Sequence, residues 1–211
     1  MFKVIPGILE KDWESIEKKI EIGRGFADAF HIDILDGEFT NNTSFLDPKP
    51  FAKYAKDLFF ELHMMVEDPI QYLKPFAQAG FRRFLGHVEK MSDQEEFVAI
   101  GEQLGEVGLA LDKETPIDAI RVPFNDLDMV LVMTIKAGFS GQAFTSELLK
   151  KVQDLREKTA IPLEVDGGIN DISLIQARNA GATDFVSTSF IYKNPDPHFA
   201  FKTLLESCSL H

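Results

Sequence analysis

A single α/β domain folded as a closed, parallel (β/α)₈ TIM barrel is the class this sequence predicts, and three observations predict it. Short apolar runs alternate with amphipathic stretches from end to end. Eight such pairs can be counted, with no linker, low-complexity segment or change of composition between them. At 211 residues the chain is long enough to bury one full core, so residues 1–211 are read as one domain. Strict alternation of strand and helix implies a parallel sheet, and eight units bring its two edges together. The alternation by itself also admits an open, doubly wound sheet.

The apolar runs lie at residues 3–9, 30–35, 59–66, 84–88, 107–111, 129–135, 163–165 and 185–190. Each is nearly continuous, as expected of strands covered on both faces. The first stretch between them, 12–20, spaces Trp13, Ile16 and Ile20 three and four apart, which is one stripe of a helix. The same period marks 70–79, 95–104, 147–155 and 172–180, whereas the connections after the second and fifth runs carry only short helical patterns. Ser92 ahead of Asp93 and Glu95, and Asp171 after a Gly-Gly turn, read as helix starts. Gly80 and Gly181 fall where a left-handed residue ends a helix.

Composition narrows the function. The hydrophobic fraction of 45% and charged fraction of 27% are those of a folded domain and argue against disorder. A net charge of -12 repels a polyphosphate backbone, so nucleic acid is a poor partner. A small anion is still admissible, because backbone N–H groups cradle phosphate without net positive charge. Cys208 is the one cysteine, which rules out an intrachain disulfide and points to a reducing compartment. No run reaches the roughly 18 apolar residues of a membrane span, and Met1–Gly7 carries no secretory signal. A cytoplasmic protein with no membrane or nucleic-acid partner is expected.

In such a barrel, function collects at the C-terminal ends of the strands. His31 and Asp33 are two apart, so they share one face of the second strand while Ile32 and Ile34 turn toward the helices. His63 ends the third strand; Asp166 ends the seventh and precedes Gly167 and Gly168. A carboxylate facing a barrel interior needs a partner. Two histidines and two carboxylates at one end make a divalent-metal set, although each taken singly reads equally as a hydrogen-bonded strand end. Gly138-Phe139-Ser140-Gly141, Gly167-Gly168 and Thr188-Ser189 follow the last three strands, where loop N–H groups often grip phosphate. Glycine-rich loops as often serve plain turns. His87, at the fourth strand end, either faces substrate or is a satisfied core residue; His198 and His211 read as surface residues.

Six motifs then occur in order: His-Ile-Asp-Ile-Leu-Asp-Gly-x-Phe at 31–39, His-Met-Met-Val-Glu-Asp-Pro at 63–69, His87-Val88-Glu89, Val-Met-Thr-Ile at 132–135, Gly-Phe-Ser-Gly-Gln-x-Phe at 138–144 and Glu-Val-Asp-Gly-Gly-Ile at 164–169. Together, over residues 6–192, they resemble the ribulose-phosphate 3-epimerase family, including its relatives that act on allulose 6-phosphate. The resemblance implies a TIM barrel holding one divalent metal ion, zinc or iron(II) foremost, with manganese and cobalt also admitted. By motif position the ligands are His31, Asp33, His63 and Asp166, and the acid/base pair on opposite faces of the substrate is Asp33 and Asp166. The implied reaction inverts C3 of D-ribulose 5-phosphate, giving D-xylulose 5-phosphate through an enediolate. Met65 and Met133 either shield that intermediate or simply pack the core. Barrels of this kind commonly associate, so a homo-oligomer is expected beside the small phosphosugar partner.

The chain also departs from the family pattern. Pro6-Gly7-Ile8-Leu9 stands where Pro-Ser-Ile-Leu is usual, and the family's serine contacts substrate. Leu35 replaces a methionine near the metal, Glu38 a histidine and Asn41 a proline. Lys136-Ala137-Gly138-Phe139-Ser140-Gly141 replaces Asn-Pro-Gly-Phe-Gly-Gly, and Thr188 replaces a glycine bordering the phosphate. Lys136 either reaches the substrate or is a solvated loop lysine. The metal set is kept while the substrate-facing set differs, which leaves two further readings. One is the same chemistry on a hexulose 6-phosphate; the other is a degenerate barrel that binds metal or phosphosugar without catalysis. A Schiff-base aldolase using Lys136 would leave the metal set unexplained.

Overall fold

The computed structural model describes residues 2–209; the expected surface position of His211 lies outside them. Eight parallel strands follow the chain around a closed ring: β1 (Lys3–Ile8), β2 (Ala29–Leu35), β3 (Phe59–Met65), β4 (Arg83–His87), β5 (Glu106–Leu111), β6 (Met129–Met133), β7 (Leu163–Asp166) and β8 (Asp184–Ser187). Lys3 pairs with Asp184 and Pro6 with Ser187, so β1 and β8 seal the barrel and the open-sheet alternative is excluded.

The outer layer carries α1 (Trp13–Gly23), α2 (Ile70–Gln78), α3 (Gln94–Gly101), α4 (Leu149–Lys158), α5 (Asp171–Ala180), α6 (Ser189–Tyr192) and α7 (Pro197–Ser209). After β2 and β5 there are only 3₁₀ turns, at Lys49–Lys53, Ile117–Ala119 and Phe124–Asp126. This matches the weak helical patterns there. In α1, Ile16 and Ile20 are buried, and the Asp12 side chain accepts the Ser15 N–H. A cap of this kind contributes about 1 kcal/mol. One helix start differs from expectation by one residue, whereas α5 opens at Asp171 as expected. Asp93, not Ser92, caps α3 by accepting from Glu96 N, and Asn170 caps α5 through a reciprocal box with Ser173. Asp and Asn place their acceptor within reach of the free N–H groups just as Ser does, so sequence alone leaves the choice open.

Strand alternation divides the core in two. Ile32, Ile34, Phe60, Leu62 and Met64 face outward and pack beneath the helices. Leu35, Met65, Leu85, Ala110, Leu131 and Met133 form a separate cluster inside the barrel. Below it the interior is ionic. Arg83 holds Glu61 at 2.7 Å and Glu106 at 2.6 Å, with Asp184 at 3.9 Å. Glu164 completes this layer, fully buried. Among the described residues, no helix is long and apolar enough to cross a membrane. Cys208 is buried with a free thiol, and burial pushes its pKa up to about 11.

Candidate metal centre and active site

The register of β2 on β3 sets His31 beside Glu61, Asp33 beside His63 and Leu35 beside Met65. All six side chains therefore point inward, in three successive rows. His31 Nδ1 lies 2.7 Å from Glu61 Oε1, and a carboxylate can only accept, so Nδ1 carries the hydrogen. Arg83 Nη1 holds the other Glu61 oxygen at 2.7 Å. The remaining ring nitrogen, His31 Nε2, is buried without a hydrogen-bond partner, 3.3 Å from Asp33 Oδ1. A buried, oriented and unpartnered nitrogen is the signature of a ligand whose tautomer has been set from behind.

His63 is set in the same way by different residues. Its Nδ1 lies 2.8 Å from Asp33 Oδ1 and 3.8 Å from Asp166 Oδ2. Its Nε2 lies 2.9 Å from His87 Nε2, and His87 Nδ1 lies 2.8 Å from Glu89 Oε2. Glu89 can only accept from His87 Nδ1. The neutral His63 ring has one hydrogen for two neighbours, His87 Nε2 and Asp33 Oδ1; given to His87, it leaves Nδ1 bare toward the carboxylates, as a metal ligand requires. His31, Asp33, His63 and Asp166 each offer a ligand atom within 4.8 Å of the others. The cluster is thus able to hold a metal ion: two imidazole nitrogens freed by second partners, plus two carboxylates, suit a divalent cation.

The electrostatics separate the two aspartates. Burial would raise the Asp33 pKa, but His31 and His63 beside it outweigh that and hold the carboxyl well below the usual range. Asp166 has no such support. Burial and then the charge of Asp33 push it up to about 7. For His63, burial outweighs Asp33 and brings the ring down to about 4, so it is neutral at physiological pH. For His31, burial is outweighed by the close contacts with Asp33, Glu164 and Glu61, and its pKa is raised well above the usual value. Three carboxylates around one imidazole make this a place that draws positive charge.

A cleft open to solvent lies over these residues. Asp33, Asp166, Met65 and Met133 line its inner end; Gly138–Gly141, Gly167, Gly168, Thr188 and Ser189 line the other. His31 and His63 are fully buried beneath it. Met65 and Met133 both line the cleft and pack the interior cluster, so the two readings of them coincide. The buried Thr134 hydroxyl donates to the carbonyl of Asp166 at 2.9 Å, or to that of Gly167 at 2.6 Å. This ties β6 to the start of the β7 loop. Gly168 has φ 69°, and a Cβ there would stand 2.6 Å from Phe144 N, so only glycine fits. From the β2 loop, Asn42 Nδ2 donates to Gly138 O at 2.8 Å.

Two expected substrate contacts lie elsewhere. His87 is fully buried behind His63 and does not line the cleft. Its strand-end position was legible, but not which neighbour would fill the space in front of it. Lys136 is exposed and also outside the cleft. Met133, Ile135 and Ala137 take the inward positions at and after the end of β6, and Lys136 between the last two is left to solvent. An exposed lysine lacks the desolvation that activates an amine, which removes the support for the aldolase reading. Glu61, Arg83, Glu164 and Glu89 were not singled out from sequence. The signal was present, since Glu61 and Glu164 sit two residues before His63 and Asp166 and share their faces.

The chain matches the family model described as ribulose-phosphate 3 epimerase family over residues 3–192. It is 32% identical over 206 residues to the ribulose-phosphate 3-epimerase of Bacillus subtilis, covering 93% of this chain and 94% of that one. It is 33% identical over 214 residues to the enzyme of that name from Schizosaccharomyces pombe, covering 97% and 93%. The cytoplasmic isoform from Oryza sativa subsp. japonica is 32% identical over 218 residues, covering 97% and 93%. Among solved structures, KGPDC from Streptococcus mutans superposes with a TM-score of 0.73 at 12% identity, over 99% of this chain and 98% of that one. The 3-hexulose-6-phosphate synthase of Salmonella typhimurium gives 0.72 at 12% identity, over 98% of each. At such identity these two speak for the barrel alone.

Proposed function

The chain belongs to the ribulose-phosphate 3-epimerase family, and we propose on that footing that it inverts C3 of D-ribulose 5-phosphate to give D-xylulose 5-phosphate. The observation that carries this reading is the pair Asp33 and Asp166. Both line one cleft beside the same two histidines, one firmly ionised and the other with a pKa of about 7. Epimerisation needs a base on one face of the carbon and an acid on the other, and an ionised carboxylate beside one that titrates near neutrality provides both. Asp33 Oδ takes the C3 proton, the electron pair is held as an enediolate, and Asp166 returns a proton to the opposite face. In the reverse direction the two exchange roles.

The four-residue cluster fits one divalent ion, zinc or iron(II) foremost, with manganese and cobalt as further candidates. Held by His31, Asp33, His63 and Asp166, it would supply positive charge to the C2 and C3 oxygens as the proton leaves, worth several kcal/mol. Met65 and Met133 exclude water from the inner end of the cleft. The β6, β7 and β8 loops, with Ser140, Gly141, Gly168 and Ser189, present N–H and hydroxyl groups for the phosphate. A cytoplasmic location agrees with the lone buried thiol and with a cytoplasmic isoform among the relatives. Self-association would cover exposed Phe199 and Leu205 on α7.

One set of residues favours a second sugar. Gly7, Ser140 and Thr188 all differ from the family pattern, and the last two line the cleft wall. A hexulose 6-phosphate is therefore the alternative substrate. The test is exchange of the C3 proton with solvent deuterium in metal-loaded protein, followed by NMR on both sugar phosphates. Exchange with the pentulose phosphate supports the main reading, and exchange with the hexulose phosphate alone transfers the chemistry to the longer sugar. A protein that binds metal and exchanges neither is the degenerate barrel.

A further inference from the structure

Gly7 and Thr188 meet at the seam of the barrel. Pro6 pairs with Ser187 across β1 and β8, so Gly7 and Thr188 are the next residues on each side. On its other edge Gly7 pairs with His31. Its backbone is not left-handed, so nothing in the main chain demands glycine. Space demands it. A Cβ on residue 7 would stand 2.8 Å from Val186 Cγ1 and closer still to Thr188 Oγ1. Thr188 Oγ1 occupies the ground that a residue-7 side chain would need.

That hydroxyl also has no structural task at the helix it precedes. Thr188 is the N-cap residue of α6, yet its side chain caps no N–H there. It is half-buried and lines the cleft, as Asp166 and Ser189 do. A threonine at a cap position whose hydroxyl caps no N–H, on a residue that lines a cleft, is placed for a ligand.

We propose that Gly7 and Thr188 form one specificity unit. The Thr188 hydroxyl reaches over the vacant Gly7 position and hydrogen-bonds a sugar hydroxyl between the reacting carbon and the phosphate. The inference rests on the phosphosugar reading of the same site. One hydroxyl is delivered to the cleft from β8, and β1 must be bare to admit it. The two positions therefore cannot both carry side chains. A site that hydrogen-bonds a substrate hydroxyl discriminates sharply against a sugar lacking it or presenting it elsewhere.

Four variants test this: Gly7→Ser, Thr188→Gly, the double variant, and Thr188→Val, which keeps the bulk and removes the hydroxyl. The readouts are melting temperature, kcat and KM, and calorimetric Kd for D-ribulose 5-phosphate. Thr188→Val should keep the wild-type melting temperature and raise KM and Kd roughly tenfold, with kcat within about twofold. Gly7→Ser should melt lower and lose about 30-fold or more in kcat/KM, and adding Thr188→Gly should recover roughly tenfold of that loss. A Thr188→Val variant with wild-type Kd overturns the hydroxyl contact. A double variant no better than Gly7→Ser overturns the coupling. A wild type that binds the sugar phosphate without C3 exchange defeats the epimerase reading alone, and Kd in Thr188→Val still decides the contact. A wild type that binds no sugar phosphate overturns both.

Discussion

His63 and His87 face one another through their Nε2 atoms at 2.9 Å, their rings stacked with centroids 5.0 Å apart. The pair extends the candidate centre outward to Glu89, whose pKa burial would raise but which His87, Thr115 and the Asp112 N–H together lower to about 2. The outermost carboxylate thereby decides which nitrogen of the inner histidine is free.

His87→Leu removes this control while keeping the volume apolar. Metal affinity should fall roughly 10- to 100-fold, the usual effect of losing a partner behind a ligand. Chelator competition measures it. Wild-type affinity in the variant would show that His87 is packing and no more.

The two aspartates predict a matched pair of losses. Asp33→Asn and Asp166→Asn should each slow C3 deuterium exchange by about a thousandfold or more, since each carries one of the two proton transfers and also a ligand oxygen. Exchange persisting at the wild-type rate in either variant would sink the two-base mechanism. The readout is NMR of the sugar in deuterated buffer, with metal content checked by mass spectrometry.

Metal binding should release protons. The metal-free protein holds a proton on His31, whose pKa is raised, and partly on Asp166, with its pKa of about 7. Both atoms must be bare to serve as ligands, so protons compete with the ion. Affinity should rise as pH increases through 7 and fall on acidification, by about tenfold per pH unit for each proton displaced. Titration calorimetry in buffers of different ionisation heat counts the protons. A pH-independent affinity between 6 and 8 contradicts the assignment.

Arg83 is the cation of the buried layer, 2.7 Å from Glu61. Arg83→Met leaves buried carboxylates without it and should cost about 3–5 kcal/mol, or about 10 °C in melting temperature for a chain of this length. The cost should depend on pH. Glu164 is pushed up to about 8 by burial and then by the charge of Glu61, from an ordinary value of 4.5. Its contribution is therefore fully present below 4.5 and is lost as pH rises through about 8. Without Arg83 the loss steepens, so the destabilisation should be larger at pH 8 than at pH 5. Urea unfolding of the metal-free protein at both values tests the sign.

Much of this was legible along the chain. The eight-unit alternation and the shared face of His31 and Asp33 are local properties, set by strand period and by apolar runs that need cover on both sides. The ends of the strands could be read because Asp166 and His63 interrupt apolar runs. What could not be read is which inward residues share a row. That depends on how far each strand slides against its neighbour, and only closure of β1 on β8 settles the slide.

The sequence by itself therefore determined the eight strand–helix units and the strand ends that carry the four candidate ligands, because hydrophobic period and residue type act over a few neighbours. Tertiary structure alone decided the rest. It put Glu61 behind His31 and His87 behind His63, and it turned Lys136 to solvent. It also brought Thr188 against Gly7 from opposite ends of the chain. The two polar pairings share one physical reason. A buried polar atom takes whatever partner the register places within 3 Å or so, and register is a property of the closed sheet, not of any strand in it.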